Sequence, residues 1–122
     1  MTAPIERPFV AANSADTSIA EKDGYTPMHG AGFQGRAEIA QMLIDHGLDP
    51  SHRHTDGYTP IHRACWGDEN RHTLMVRTLV KAGVPFDEKN SHGQTPLELT
   101  KNEGTRKYLA HRTKLALEKA EL

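Results

Sequence analysis

The chain has 122 residues, of which 36% are hydrophobic and 25% are charged, a balance typical of one small folded domain rather than of a disordered chain. Basic and acidic side chains nearly cancel, and the formal net charge of −1 favours a partner other than nucleic acid or an anionic membrane. A single cysteine excludes an internal disulfide and no apolar run is long enough to cross a membrane, so the cytoplasm or another reducing compartment is expected, without membrane insertion.

The first element in the chain is predicted to be an extended N-terminal arm over residues 1–15, because Pro4 and Pro8 are unfavourable inside a helix. Residues 16–24 align with residues 49–57 at an offset of 33. This similarity predicts a polar, turn-rich finger in front of the first complete repeat. Residues 16–122 are then expected to form a single domain.

A Gly-x-Thr-Pro core occurs three times after the arm, with intervals of 33 and then 36 residues. Its residues are Gly24, Thr26 and Pro27, then Gly57, Thr59 and Pro60, and finally Gly93, Thr95 and Pro96. The three extra residues of the second interval fall in the polar stretch 68–71, where a surface loop accepts an insertion at little entropic cost. The spacing therefore predicts three repeats, at about 24–56, 57–92 and 93–122.

Each repeat is predicted to hold a short helix followed by a second helix. The short helices are expected at about 27–33, 60–66 and 96–102, since a threonine hydroxyl can cap a helix and proline is favoured at its first position. Apolar residues at helical spacing mark the second helix of the first two repeats; they are Ile39, Met42 and Leu43, and Met75, Val76, Leu79 and Val80. Gly47 and Gly83 fit left-handed caps where these helices end.

The last segment, Gly104 to Leu122, is predicted to be a charged helix that caps the end of the stack. Basic residues exceed acidic residues between Lys101 and the C-terminus. Docking on an acidic partner is therefore the alternative to a solvated cap.

The 33-residue period and the motif Thr-Pro-[Met/Ile]-His-x-Ala, complete in two repeats through Ala31 and Ala64, resemble the ankyrin-repeat family over about residues 16–112. The third repeat departs from this motif, with Glu98 and Thr100 at the histidine and alanine positions. The resemblance implies an all-α solenoid of helix pairs with hairpin-like fingers. It also implies a non-enzymatic module that binds a partner protein through the concave face of fingers and first helices. The alternative is an accessory structural subunit of a larger complex, anchored by its N-terminal arm and C-terminal helix.

His29 and His62, each near an acidic residue, have the residue type from which a metal site or a proton-transfer site is built. The resemblance implies a different role, in which each histidine hydrogen-bonds backbone near the neighbouring turn and braces successive fingers. The glycine, threonine and proline residues of the repeated core are likewise assigned to the scaffold.

Two further patterns carry chemistry in other proteins. His52, His54 and Asp56 lie at alternate positions, so an extended finger could bring them to one metal ion. This set offers only three possible ligands in a polar turn, and the sequence predicts no metal and no cofactor. Cys65 is expected to be a small buried residue rather than a nucleophile. Because no hydrolase, phosphate-binding or zinc-protease motif is present, we predict no enzymatic activity and assign no catalytic residue.

Aromatic residues supply the candidate binding surface. Four of the seven, Tyr25, Phe33, Tyr58 and Trp66, lie at positions that the resemblance leaves free to vary, and such residues, with arginine, dominate protein interfaces. The full candidate set for binding another protein is Tyr25, Phe33, Gln34, Tyr58, Arg63, Trp66, His92 and Gln94. The alternative is that these aromatic side chains only pack between adjacent fingers and helices.

Overall fold

A computed structural model describes residues 25–120. Six helices lie in this range: α1 (Pro27–Gln34), α2 (Ala37–Asp45), α3 (Pro60–Ala64), α4 (Asn70–Lys81), α5 (Pro96–Leu99) and α6 (Glu103–Ala120). The predicted N-terminal arm, the leading finger with Gly24, and Leu122 lie outside the described residues.

The helices form two layers. Consecutive helices pair as α1–α2, α3–α4 and α5–α6, while α1, α3 and α5 contact one another in one row and α2, α4 and α6 in a second row. No strand occurs between residues 25 and 120. This arrangement confirms the predicted all-α solenoid of helix pairs.

The short helices begin where the Thr-Pro motif predicts them. The side-chain oxygen of Thr26 accepts a hydrogen bond from the backbone N–H of His29 at 3.4 Å, and that of Thr95 accepts one from Glu98 at 3.2 Å. The Glu98 carboxylate accepts from the Thr95 N–H in return at 3.0 Å. Such a reciprocal arrangement is a capping box, and it pairs backbone groups that a helix start otherwise leaves unpaired.

Two of the short helices end earlier than predicted. Helix α3 ends at Ala64 rather than 66, and α5 at Leu99 rather than 102. After α3, turns closed by Trp66 to Arg63 and Gly67 to Ala64 hydrogen bonds lead to Gly67, where only glycine fits because any β-carbon would overlap the His72 ring. After α5, Thr100 is extended because Asn102 already caps α6.

The core lies between the two layers. Met75, Val76 and Leu79 of α4 are fully buried, as is Leu109 of α6, which matches the predicted apolar face of α4. Helix α2 differs, since only Ala40 is buried along its length. Its predicted apolar residues Ile39 and Met42 are 42% and 60% exposed, because α2 lies at the end of its row and has only one neighbour there among the described helices.

Two fingers project between the helix pairs. Each is closed by a backbone hydrogen bond of 2.9 Å, from His54 to Tyr58 and from Asn90 to Gln94. The fingers touch at Gly57, which has a φ of 88° and where a β-carbon would lie 2.4 Å from that of Ser91. Only glycine suits both the conformation and this approach.

Helix α6 covers the C-terminal side of α4 with its first half. Thr105 and Leu109 are its buried residues, whereas residues 114–120 are exposed. Within residues 25–120, none of the helices combines the length and apolar character needed to cross a bilayer.

Candidate functional site

The histidine of the second repeat links the start of α3 to the second finger. His62 is fully buried, and its Nδ1 accepts a hydrogen bond from the Thr59 N–H at 3.2 Å. The neutral ring therefore carries its proton on Nε2, which donates to the Glu88 carbonyl at 2.9 Å. Burial lowers the pKa of His62, so the ring stays neutral. Both ring nitrogens are engaged, which leaves neither for a metal ion or for proton transfer.

The histidine of the first repeat makes only half of these contacts. Nδ1 of His29 accepts from the Thr26 N–H at 3.1 Å, but its buried Nε2 has no hydrogen-bond partner within the described structure. His52, 36 positions before Glu88, corresponds to it. Its backbone raises the pKa of His29 without meeting the geometry of a hydrogen bond to Nε2. Burial, with the nearby charge of Arg63, lowers the pKa of His29 from 6.5 to about 4.

This lowered pKa predicts a loss of stability in mild acid. Between pH 6.5 and 4 the unfolded chain protonates His29 and the folded chain does not, so the free energy of unfolding falls as the pH falls. The loss is on the order of 2 kcal/mol by pH 4.5. Arg63, His52 and His54 surround the ring and oppose its protonation. Thermal unfolding between pH 7.5 and 4.5 measures the slope.

A His29→Gln variant is the control for this pH dependence, because glutamine does not titrate. Its midpoint of thermal unfolding should vary less with pH than that of the wild type, with His62 accounting for the remainder. Equal pH profiles for the two proteins would contradict the assignment to His29.

A third histidine brace was not predicted from the sequence. His72 accepts at Nδ1 from the Glu69 N–H at 3.4 Å, and its Nε2 donates to the Phe33 carbonyl at 3.1 Å. It thereby fixes the start of α4 against the end of α1. The signal was present in the spacing, since Glu69 and His72 repeat the separation of Thr59 and His62.

Asn102 is a second structural residue that sequence reasoning missed. Its amide donates to the carbonyls of Gly67 at 3.1 Å and Glu69 at 3.0 Å, and its side-chain oxygen accepts from the Gly104 N–H at 3.0 Å. One side chain thus caps α6 and holds the loop before α4.

Arg63 is buried inside the candidate binding surface, with 8% of its area exposed. Its Nη2 donates to Asp56 at 2.7 Å and to Nδ1 of His54 at 2.6 Å. Because this contact makes Nδ1 of His54 an acceptor, the 3.2 Å approach of that nitrogen to Asp56 is not an ion pair. Burial raises the pKa of the Asp56 carboxyl, but the hydrogen bond and charge of Arg63 outweigh it and hold that pKa below 3.8.

Three aromatic rings surround the Arg63 guanidinium. Its central carbon lies 5.5 Å from the ring centre of Tyr25 and 5.3 Å from those of Tyr58 and Trp66, within the range of cation–π attraction. We call these four residues the arginine cage. The cage joins the end of α3 to the finger at residues 54–58.

The remaining candidates divide into exposed and supporting residues. Phe33 and Trp66 are 55% and 45% exposed, and their rings meet edge to face with centres 6.4 Å apart. Tyr58 is buried beneath Trp66 at 4.7 Å, and its hydroxyl contacts Nδ1 of His92 at 3.1 Å. The structure therefore brings Tyr25, Phe33, Tyr58, Arg63, Trp66 and His92 together.

The two candidate glutamines lie at the edges of this surface. Gln34 is exposed beyond Phe33 and accepts from Arg36 at 2.8 Å. Gln94 lines a groove of about 360 Å³ together with Cys65, Trp66, Leu99 and Lys101. Cys65 is 1% exposed, and burial raises the pKa of its thiol to about 12, so the thiol is protonated as expected for a packing residue.

Two of the three residues of the alternative metal site have other partners in the structure. Nδ1 of His54 is occupied by Arg63, and Asp56 pairs with the same guanidinium. Across residues 25–120, no group of three or more histidine, cysteine or carboxylate side chains is placed to hold a metal ion.

Comparison with known proteins gives a family for this architecture. The family model described as "Ankyrin repeats (3 copies)" matches residues 7–90, which is more than half of the chain, and its start lies upstream of residue 16, where the sequence motifs begin. No curated protein matched the chain. The two rows of helices, the histidine braces and this match lead to one conclusion: the chain belongs to the ankyrin-repeat family.

Proposed function

We propose that this protein binds a partner protein through an aromatic surface, and that Phe33 and Trp66 are the two residues that the partner contacts directly. Ankyrin repeats generally mediate protein–protein interaction, and the family is typically non-enzymatic. The observation that carries the proposal is the exposure of these two large rings, at 55% and 45%, side by side at the C-terminal ends of the adjacent first helices α1 and α3.

The support beneath these rings favours recognition over simple packing. Trp66 rests on Tyr58 and on the Arg63 guanidinium, and both of these are almost fully buried. A ring held in place before binding loses little conformational entropy when a partner covers it. The candidate residues thus have two roles: Phe33 and Trp66 contact the partner, whereas Arg63 and Tyr58 position Trp66.

Trp66→Ala is expected to weaken partner binding at least about tenfold, as truncation of an aromatic anchor does at other interfaces, and Phe33→Ala is expected to weaken it less. About half of each ring is exposed, so the thermal unfolding midpoint should fall by only a few degrees, from the lost contacts of Trp66 with Tyr58 and Arg63. The partner is first identified by crosslinking and pull-down with the full chain, and affinities are then measured by calorimetry.

Leu117→Ala is the matched control. Leu117 is 62% exposed on α6, the last helix of the stack, and is not part of the aromatic surface. Its affinity should equal that of the wild type. Unchanged affinity of the Trp66→Ala and Phe33→Ala variants would exclude the aromatic surface.

A second candidate function has its own observation. The end of α6, residues 114–120, is exposed and includes Leu115 and Leu117 at 43% and 62%, as expected if the helix anchors the protein in a larger complex. In that case Leu117→Ala weakens binding and Trp66→Ala does not. The same two variants therefore decide between the two functions.

A further inference from the structure

The row of aromatic residues at the ends of the first helices stops at Trp66. Phe33 and Trp66 each lie nine residues after the glycine of the repeated core, and the third residue of this series is Asn102. The Phe33 ring meets Trp66 from the α1 side, with ring centres 6.4 Å apart. On the α5 side the series supplies an amide in place of a third ring, so the surroundings of Trp66 differ on its two sides.

The early end of α5 leaves a groove on that side of Trp66. Asn102 is buried, because its amide donates to the carbonyls of Gly67 and Glu69, and Thr100 is extended where the chain turns towards it. Asn102 therefore adds nothing to the surface beside Trp66. The groove that remains has a volume of about 360 Å³, and its lining residues are Cys65, Trp66, Gln94, Leu99 and Lys101.

Three of the lining residues are apolar. Trp66 is 45% exposed and Leu99 is half-buried, so both present apolar surface to solvent within the groove. Cys65 is almost fully buried and carries no charge, as its raised pKa requires. A groove with these walls favours a large apolar side chain, which gains free energy when it leaves water.

Gln94 offers the groove a hydrogen-bond donor. The side-chain oxygen of Asn90 accepts from the backbone N–H groups of His92 and Gln94 at 2.9 Å and 3.0 Å, which identifies the other end of the Asn90 amide as the donor. That donor bonds the side-chain oxygen of Gln94 at 3.2 Å. The Gln94 oxygen is thereby engaged, and among residues 25–120 its amide nitrogen donates to no acceptor. Its N–H groups are what a ligand meets.

Lys101 supplies a second donor and the charge. It corresponds to Cys65 of the preceding repeat, yet Cys65 is buried and Lys101 is exposed, because α5 stops before it. Lys101 is the only charged residue among those that line the groove, and it takes part in none of the ion pairs within the described part of the chain. An ammonium group can only donate, so the polar group of an occupant has to be an acceptor.

We propose that this groove binds an acidic segment of the partner protein, in which a large apolar side chain packs between Trp66 and Leu99 while a neighbouring carboxylate accepts from Lys101 and Gln94. The assignment rests on the proposed function and adds to it the side of Trp66 that the partner covers and the chemistry that it presents. A basic segment would place its cation against a cation and a donor, which is repulsive. An uncharged segment would fill the groove but leave the ammonium group without a partner.

Selection of a random peptide library on the full wild-type chain tests this chemistry directly. The enriched peptides should carry Asp or Glu next to a large apolar residue, and Trp66→Ala should abolish their binding. Lys101→Glu reverses the charge at an exposed position. It should weaken binding of these peptides at least about tenfold, because like charges then face each other, and selection on this variant should enrich Lys or Arg in place of the acidic residue.

Two further variants separate the donor from the net charge. Gln94→Glu keeps the oxygen that accepts from Asn90 but replaces the donor with a negatively charged acceptor, so it should weaken the same peptides. Lys114→Glu changes the net charge as Lys101→Glu does, on the exposed end of α6, and should leave their affinity unchanged. Thermal unfolding of each variant verifies that it is folded.

The outcomes distinguish this inference from the proposed function. Peptides that require Trp66 but show no preference for Asp or Glu, or that bind Lys101→Glu equally well, would overturn the groove assignment and leave the aromatic surface in place. A selection that enriches no peptide overturns the groove assignment as well. Peptides that bind independently of both Trp66 and Phe33 would overturn both proposals. Tighter binding of oligothymidylate, dependent on Lys101, would place a nucleic acid in the groove instead.

Discussion

Replacing His62 by alanine is expected to lower the free energy of unfolding by about 3 kcal/mol, because the change removes a buried side chain and leaves its partners unpaired. The backbone N–H of Thr59 and the Glu88 carbonyl both lose their bonds to the ring. The second of these bonds connects α3 to the finger of the next repeat, so its loss loosens one repeat from the next. Urea denaturation at pH 7.5 measures the change.

His29→Ala is the matched comparison, since His29 has the same burial and the same contact with its threonine. Its Nε2 has no hydrogen-bond partner among residues 25–120, so no bond like that from His62 to Glu88 is lost, and the cost should be clearly smaller than for His62→Ala. Equal costs would show that the bond to Glu88 contributes nothing. A loss of partner binding by folded His62→Ala protein, with no loss of stability, would place this histidine in the site instead of the scaffold.

The sequence predicted the repeated parts of the fold well, because local chemistry determines them. Proline and a capping threonine fix where α1, α3 and α5 begin, and Gly47 and Gly83 take the positive φ angles of 93° and 96° expected where the second helices end. These features depend on residues within a few positions of one another, so they can be recognised without knowledge of the tertiary structure.

The helix ends that were predicted wrongly depend on contacts distant in sequence. Helix α5 stops early because Asn102 is committed to the carbonyls of Gly67 and Glu69, more than 30 residues away. Gly67 in turn must admit the ring of His72. Helix propensity contains no information about such partners, so the sequence could not show these stops.

The candidate site was predicted as a set of positions but not as an arrangement. Motif spacing located Tyr58, Arg63 and Trp66 on one surface, and the structure brings them together. Periodicity alone could not show that Arg63 and Tyr58 are buried while Trp66 is exposed, because that depends on how Asp56 and His54 of the finger meet the guanidinium. Arg63, one of the residues predicted to bind a partner, is paired inside the protein with Asp56.

Arg63→Ala is expected to lower the free energy of unfolding by about 3 kcal/mol, because it leaves a cavity and deprives the cage of its central cation. Arg63→Lys should recover only part of this loss, since an ammonium group cannot reproduce the planar guanidinium that contacts Asp56, His54 and three rings. Trp66 is the only tryptophan in the chain, so its fluorescence reports the cage directly. In both variants the emission should shift to longer wavelength as Trp66 loses its support.

The same variant tests the proposed division between contact and support. Since Arg63 is buried and internally paired, Arg63→Ala should weaken partner binding only through the displaced Trp66, and the double variant Arg63→Ala/Trp66→Ala should bind no more weakly than Trp66→Ala alone. Additive losses would mean that the partner contacts Arg63 itself.

The pair of Arg63 with Asp56 also predicts a pH effect. The pKa of the Asp56 carboxyl is lowered in the folded chain, so the pair contributes stability above the unfolded value near 3.8. This contribution is lost as the pH falls through the folded pKa. Arg63→Ala should remove that acid-sensitive contribution. It should also weaken the dependence between pH 6.5 and 4.5, because the Arg63 charge helps to lower the pKa of His29, but burial of His29 and His62 should preserve part of it.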